Sequence, residues 1–151
     1  MLYSLPSMDD YDISPQVKKF WQLIPEFHSG DIRFFLEDFH SFSSDHFDVL
    51  VMIDVFEHVR DPFTFLELSR NFPDYFVFHT PLDLSAQSVL RGLSLIRTRS
   101  SVGGHLHSYT SELALETLVD CGYQIVDYHY SGDLIPLPCP SLRASIVSRF
   151  R

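Results

Sequence analysis

An α/β domain with a mostly parallel sheet is the fold this sequence predicts, and three observations predict it. Apolar bursts alternate along the chain with stretches of helical period, and that alternation is the signature of strands connected by crossover helices. The strongest burst, Phe47-Asp-Val-Leu-Val-Met-Ile53, lacks the in-and-out pattern of a half-exposed strand and suits a parallel strand covered on both faces. The bursts also end on acids or turn residues, where an open parallel sheet places its ligands.

Each element has its own local reason. Tyr11-Asp12-Ile13-Ser14 ends a first candidate strand, and Ser14-Pro15 then reads as an N-cap with proline at the first helical position. Val17, Phe20, Trp21 and Ile24 continue it at helical spacing. Asp31-Ile-Arg-Phe-Phe-Leu36 is a short strand closed by Glu37-Asp38, and residues 47–53 form the next. A helix is expected from Pro62 to Arg70, followed by a strand at Tyr75-Phe-Val-Phe-His79 that halts at Thr80-Pro81. Leu82 to Ser101 reads as a helix and then a mobile basic loop carrying Arg91, Arg97 and Arg99 and closing at Gly103-Gly104. Thr110 or Ser111 caps a helix with Leu113, Leu115, Leu118 and Val119 as its apolar positions, and Gly122 suits its C-terminal end. Tyr123 to Tyr130 is a strand. The stretch from Pro136 to Arg151, with prolines at 136, 138 and 140, is expected to be loose in part. Phe34, Phe35, Phe76 and Phe78 are assigned to the sheet core.

Composition narrows the function. The 151 residues suit one domain, residues 1–151, and 45% hydrophobic with 21% charged residues is globular composition. A net charge of -9 argues against a general binder of nucleic-acid backbones, which needs clustered cations. Cys121 and Cys139 have neither disulfide-framework nor zinc spacing, so a reducing, cytoplasmic setting is expected. No apolar run reaches the roughly 20 residues needed to cross a bilayer, and the N-terminus lacks a signal-peptide pattern.

Acids dominate the candidate site. Asp12, Asp38 and Asp54 follow three successive strands, and a carboxylate there can accept hydrogen bonds from ribose hydroxyls or an adenine amino group. Asp12 could equally serve helix entry, and Asp38 could be an ordinary loop acid. Asp54, Glu57 and His58 stand at i, i+3 and i+4 and would share one face of a helical turn. One use of that face is a charged rim with His58 as general base. Simple capping of a turn is the plainer alternative for Glu57 and His58.

At these residues the chain resembles the class I S-adenosylmethionine-dependent methyltransferases, in the branch with an E-H-V/I-x-D-P turn after the fourth strand. The resemblance runs from about Tyr11 to Tyr130 and is most specific over Phe47 to Val59 with Arg60-Asp61-Pro62; Gly104-His-Leu-His-Ser-Tyr-Thr110 and Gly122-Tyr-Gln-Ile-Val126 follow in the family's order. It implies a Rossmann-like sheet with flanking helices. It also implies a cofactor site of Asp12 and Ile13 (ribose and adenine), Asp38 and Phe39 (adenine) and Asp54. The implied activity is methyl transfer from S-adenosylmethionine to a small-molecule acceptor, with His58 and His105 as catalytic bases and Ser85 to Ser101 as an acceptor lid. Some family members with a similar turn hold Mg²⁺ there with a later histidine, which would make Asp54, Glu57, His58 and His105 the ligands, with His107 the alternative to His105. The family's first strand and Gly-rich loop should precede Tyr11, where only ten residues stand, and no GxGxG occurs. The expectation is therefore a class I methyltransferase fold incomplete at its N-terminus, with Met1 not the native start, or the chain a remnant, or the gap covered by the N-terminal residues and a partner or second copy. The alternative function is a truncated or degenerate domain without turnover, acting as a partner subunit or inactive fragment.

Overall fold

A computed structural model describes residues 7–23, 32–41, 46–90, 104–132 and 142–150. The chain divides into two compact units, Met1–Asp45 and His46–Arg151. In the first, β1 (Met8–Tyr11) and β2 (Ile32–Phe35) form a parallel pair in register from Met8↔Ile32 to Tyr11↔Phe35, with α1 (Val17–Trp21) between them in sequence. Tyr11 stacks on Phe35 with ring centroids 4.8 Å apart, and Trp21 packs on Phe34 at the same distance. Across the pair, the Arg33 guanidinium donates to both oxygens of Asp9 at 2.7 and 2.6 Å. The expected helix start is displaced. Pro15 and Gln16 form a turn closed by Val17 N–H donating to Ser14 O at 3.1 Å, and the helix begins only at Val17. Gln16 rather than Ser14 takes the N-cap position, without a side-chain cap bond, and the Ser14 N–H donates to Asp12 Oδ1 at 2.6 Å. Ile24 and Asp31 lie outside the described residues.

The second unit contains β3 (Phe47–Ile53), α2 (Pro62–Ser69), β4 (Pro73–Leu82), α3 (Ala86–Leu90), α4 (Ser111–Asp120), β5 (Tyr123–Gly132) and β6 (Leu142–Phe150). Its sheet has the order β3-β4-β6-β5, parallel between β3 and β4 and antiparallel on both sides of β6. Of the stretch expected to be loose in part, residues 136–141 lie outside the described residues, and Leu142–Phe150 is the strand β6. Its buried Ala144, Ile146 and Ser148 alternate with partly exposed Ser145 and Val147, the period of a strand facing a core on one side. The prolines at 136, 138 and 140 all precede the strand in sequence.

The strand β4 also runs further than expected, through Thr80 and Pro81 to Leu82. His79 O accepts from Asp54 N–H on the β3 side, at 2.8 Å. Residue 81 faces the same side two positions on, beyond the last β3 partner at Ile53, so proline's missing N–H costs no ladder bond.

The core lies on one face of this sheet. Met52, Phe76, Phe78, Tyr123, Ala144 and Ile146 pack with Phe56, Leu66, Ala114 and Leu118, all but Met52 (4%), Tyr123 (3%) and Ala144 (2%) fully buried. The Tyr123 hydroxyl donates to Leu66 O at 2.7 Å, which satisfies the one polar atom it carries inside. The helix α4 starts as expected at Thr110, whose side chain accepts from Leu113 N–H. Of the expected apolar positions Leu118 is fully buried and Leu115 packs against the core, whereas Leu113 and Val119 stand about half exposed at 48% and 50%, and the smaller Ala114 and Thr117 take the other buried positions. Small residues let the helix sit close to the aromatic strand surface. The expectation that β3 is covered on both faces is also corrected: Val49, Val51 and Ile53 remain 48%, 54% and 63% exposed along the edge strand. None of the described helices is long and apolar enough to cross a membrane.

Candidate functional site

The site of the second unit grows from the turn after β3. Asp54 adopts φ +51°, a left-handed conformation that an Asp tolerates better than most residues, and the chain swings out of the strand before any helix can form. Its Oδ1 lies 3.1 Å from His79 Nδ1. Phe56 then plunges into the core, edge-on to Phe78 and to Tyr109 with centroids 6.1 and 5.0 Å away. His58 N–H donates to Val55 O at 3.0 Å and closes the turn.

Glu57 follows Phe56 inward and is fully buried, with Oε1 3.8 Å from His58 Nε2. Its charge, after burial itself, helps to push the Tyr109 phenol up to about 12. The Glu57 backbone carbonyl accepts from Leu106 N–H at 2.9 Å and His107 N–H at 3.1 Å, so the 104–107 loop is stapled onto the turn. His107 Nε2 meets Val59 O at 3.0 Å, and a carbonyl partner makes that nitrogen the donor. Gly104 enters the loop at φ +73° with its Cβ position 3.6 Å from His58 Nδ1, so backbone conformation rather than space requires glycine there.

These bonds bring three of the expected residues together. The ligand atoms of Glu57, His58 and His105 lie within 4.8 Å of one another, and the two imidazoles meet edge to face with centroids 4.8 Å apart. Asp54 does not join them. The i, i+3, i+4 face requires a helical turn, and the left-handed φ at Asp54 sends its side chain to His79 instead. A residue that sequence reasoning missed does join: Asp83, with a side chain 2% exposed, has Oδ2 2.7 Å from His105 Nδ1. The rule that found Asp54, an acid just past a strand, would have found Asp83 as well had β4 been read to its true end at Leu82. Beside the turn a groove of ≈ 560 Å³ is lined by Arg60, Phe63, His107, Ser108 and Leu113 among others.

The first unit places the remaining residues. Asp12 N–H donates to Phe35 O at 3.0 Å, so Asp12 sits one step beyond the paired ends of β1 and β2. Ile13 is 77% exposed. Asp38 Oδ1 accepts from His40 N–H at 3.0 Å, and Phe39 lies edge-on to Tyr11 at 5.5 Å, which fixes the loop after β2 beside the end of β1. Asp12 and Asp38 each spend one carboxylate bond on a backbone N–H among the described residues; an ionised carboxylate has about four acceptor sites, so both retain capacity for a ligand. The basic residues 91, 97 and 99, most of the expected lid and Cys139 lie outside the described residues.

No protein-family model matches this sequence, and no curated protein matches it by sequence. Solved structures do match by fold. A methyltransferase candidate from Bacillus halodurans superposes with a TM-score of 0.70 at 9% identity, over 93% of this chain and 81% of that one. A SAM-dependent methyltransferase from Methanosarcina mazei gives 0.64 at 17%, over 95% and 82%. The [4+2]-cyclase SpnF gives 0.69 at 14%, over 95% and 66%. The sheet order, the flanking helices and these superpositions show that the chain has the Rossmann-like α/β fold of the class I S-adenosylmethionine-dependent methyltransferases.

Proposed function

We propose that the protein binds S-adenosylmethionine and transfers its methyl group to a small-molecule acceptor. The observation that carries the reading is the pair of acids beyond the parallel ends of β1 and β2, Asp12 with exposed Ile13 and Asp38 with Phe39. A [4+2]-cyclase shares the fold, so the fold does not select the reaction; residues must. Asp12 takes the ribose hydroxyls, Ile13 and Phe39 offer apolar contact to the adenine, and Asp38 accepts from its amino group. A sulfonium methyl is already activated, so the work left to the protein is alignment and removal of one proton. In the second unit His58, with a side chain 37% exposed, and His105 are the groups suited to take that proton. Asp54, paired with His79, is proposed as the third cofactor acid.

A divalent metal is a second reading of the same cluster, favoured by the 4.8 Å spacing of Glu57, His58 and His105. With Asp54 turned to His79 the donors are one carboxylate and two imidazoles. That set suits a transition metal better than Mg²⁺, which prefers oxygen ligands. The groups are the same in both readings, and no step of the transfer needs the ion.

Calorimetric titration of S-adenosylhomocysteine into the 151-residue chain tests the proposal. Binding is expected, and Asp12→Ala is expected to weaken it by about 10- to 100-fold, the value of one or two hydrogen bonds to a charged acceptor. A folded, monodisperse chain that binds none would overturn the reading in favour of a partner subunit without turnover.

A further inference from the structure

His105 is held by its neighbours as much as by its own loop. Asp83 follows the last residue of β4, and the next residue, Leu84, donates its N–H to Tyr109 O at 3.0 Å, so the Asp83 backbone is fixed on both sides. On the other side, the two residues after His105 donate their N–H groups to Glu57 O. Two anchored backbones bring Asp83 Oδ2 to 2.7 Å from His105 Nδ1, with the carboxylate 2% and the imidazole 17% exposed. The sequence alone assigns no role to this acid.

An ionised carboxylate only accepts hydrogen bonds, so a contact this short requires the proton on Nδ1. The imidazole's lone pair then resides on Nε2. We infer that Asp83 is a positioning residue that locks His105 in the Nδ1–H tautomer and orients its ring, which makes Nε2 the basic nitrogen offered to the acceptor. This rests on the proposed methyl transfer for its use, but not for its geometry. His58 lies edge to face against the same ring, so a ring rotated out of its plane would lose that packing, and one flipped by a half-turn would keep it but carry Nδ1 away from Asp83. The acid therefore sets which nitrogen works, and His58 limits how the ring can turn.

The test is long-range nitrogen–proton correlation NMR on the ¹⁵N-histidine-labelled 151-residue chain, at a pH where imidazoles are neutral. The His105 signals are assigned by their disappearance in His105→Gln. Expected is a single tautomer with the proton on Nδ1 in the wild type, and loss of that bias in Asp83→Ala, which removes the acceptor, with both nitrogens moving toward the average of the two tautomers. A proton on Nε2, a doubly protonated ring, or a tautomer unchanged by Asp83→Ala would overturn the assignment. Should the variant fail to fold, the wild-type spectrum alone still decides. Calorimetry with S-adenosylhomocysteine on the same samples separates the two claims: absent cofactor binding sinks the methyltransferase reading and leaves the tautomer result standing, and a wrong tautomer with intact binding does the reverse.

Discussion

Two aspartate–histidine pairs stand beyond the strands of the second unit, and they differ in almost everything but composition. Asp54 and His79 meet at 3.1 Å with side chains 29% and 22% exposed; Asp83 and His105 meet at 2.7 Å with side chains 2% and 17% exposed. The open pair joins the turn just past β3 to His79 within β4, where the Asp54 N–H already donates to His79 O at 2.8 Å. The closed pair joins a strand end to a loop that has no secondary structure of its own. Where water is near, an ion pair adds little to a backbone already set; where it is excluded, the same two residue types hold a loop in place. Beneath the turn that carries Glu57 and His58 lies an aromatic floor, where Phe56 packs edge-on against Phe78 and Tyr109.

Removing that floor is the largest expected perturbation. Phe56 is fully buried and touches two aromatic rings, so Phe56→Ala should cost about 3–5 kcal/mol in urea unfolding and let water reach the neighbouring Glu57. A loss below about 1 kcal/mol would mean that the turn is not anchored through this ring.

Next in size is the contrast between the pairs themselves. Asp83→Ala strands a mostly buried imidazole nitrogen and should cost about 1–3 kcal/mol, with little response to salt. Asp54→Ala should cost about 0.2–1 kcal/mol, and that loss should shrink toward zero in about 1 M NaCl. Equal costs at both salt levels would break the comparison. A larger loss at Asp54 would show that it is the left-handed turn, rather than water exclusion, that the acid serves.

The same contrast explains what the sequence could reveal. The strand β3 was legible to the residue because seven apolar-rich positions in a row leave little else to be, and α2 was legible from Asp61-Pro62, a cap followed by proline at its first turn. Asp54, Glu57 and His58 were visible as a group, but their sorting was not: a positive φ at one residue separates them, and periodicity assumes the helix that φ prevents. Asp83 was hidden by a rule applied too strictly. A proline was read as the end of β4, whereas its missing N–H falls where β3 has already stopped. The strand β6 was hidden by the prolines before it. Its Leu142-Arg-Ala-Ser-Ile-Val-Ser-Arg-Phe150 alternates small or apolar with charged or polar residues only loosely, and Ser148 is buried against the pattern. Its place between β4 and β5 depends on contacts distant in sequence, which no local signal records.

A third acid sharpens the comparison from the opposite extreme, since it acts with its carboxylate fully in water. Asp61 ends the Glu57–His58 turn and caps α2: Oδ1 accepts from Thr64 N–H at 3.1 Å and Oδ2 from Thr64 Oγ1 at 2.8 Å. These bonds, the backbone one first, favour the ionised form and hold its carboxyl below the usual range. The unfolded chain therefore takes up the proton first as pH falls. The contribution of Asp61 is fully present above its unfolded value and is lost as pH drops through the lower folded value. Asp61→Asn keeps a capping oxygen but has no charge to titrate, so the stability gap between wild type and variant should narrow from about pH 7 to about pH 3. Urea unfolding along that series gives the gap directly. A gap independent of pH would mean that the cap works by shape alone, and that charge matters in this turn only where Phe56 keeps water away.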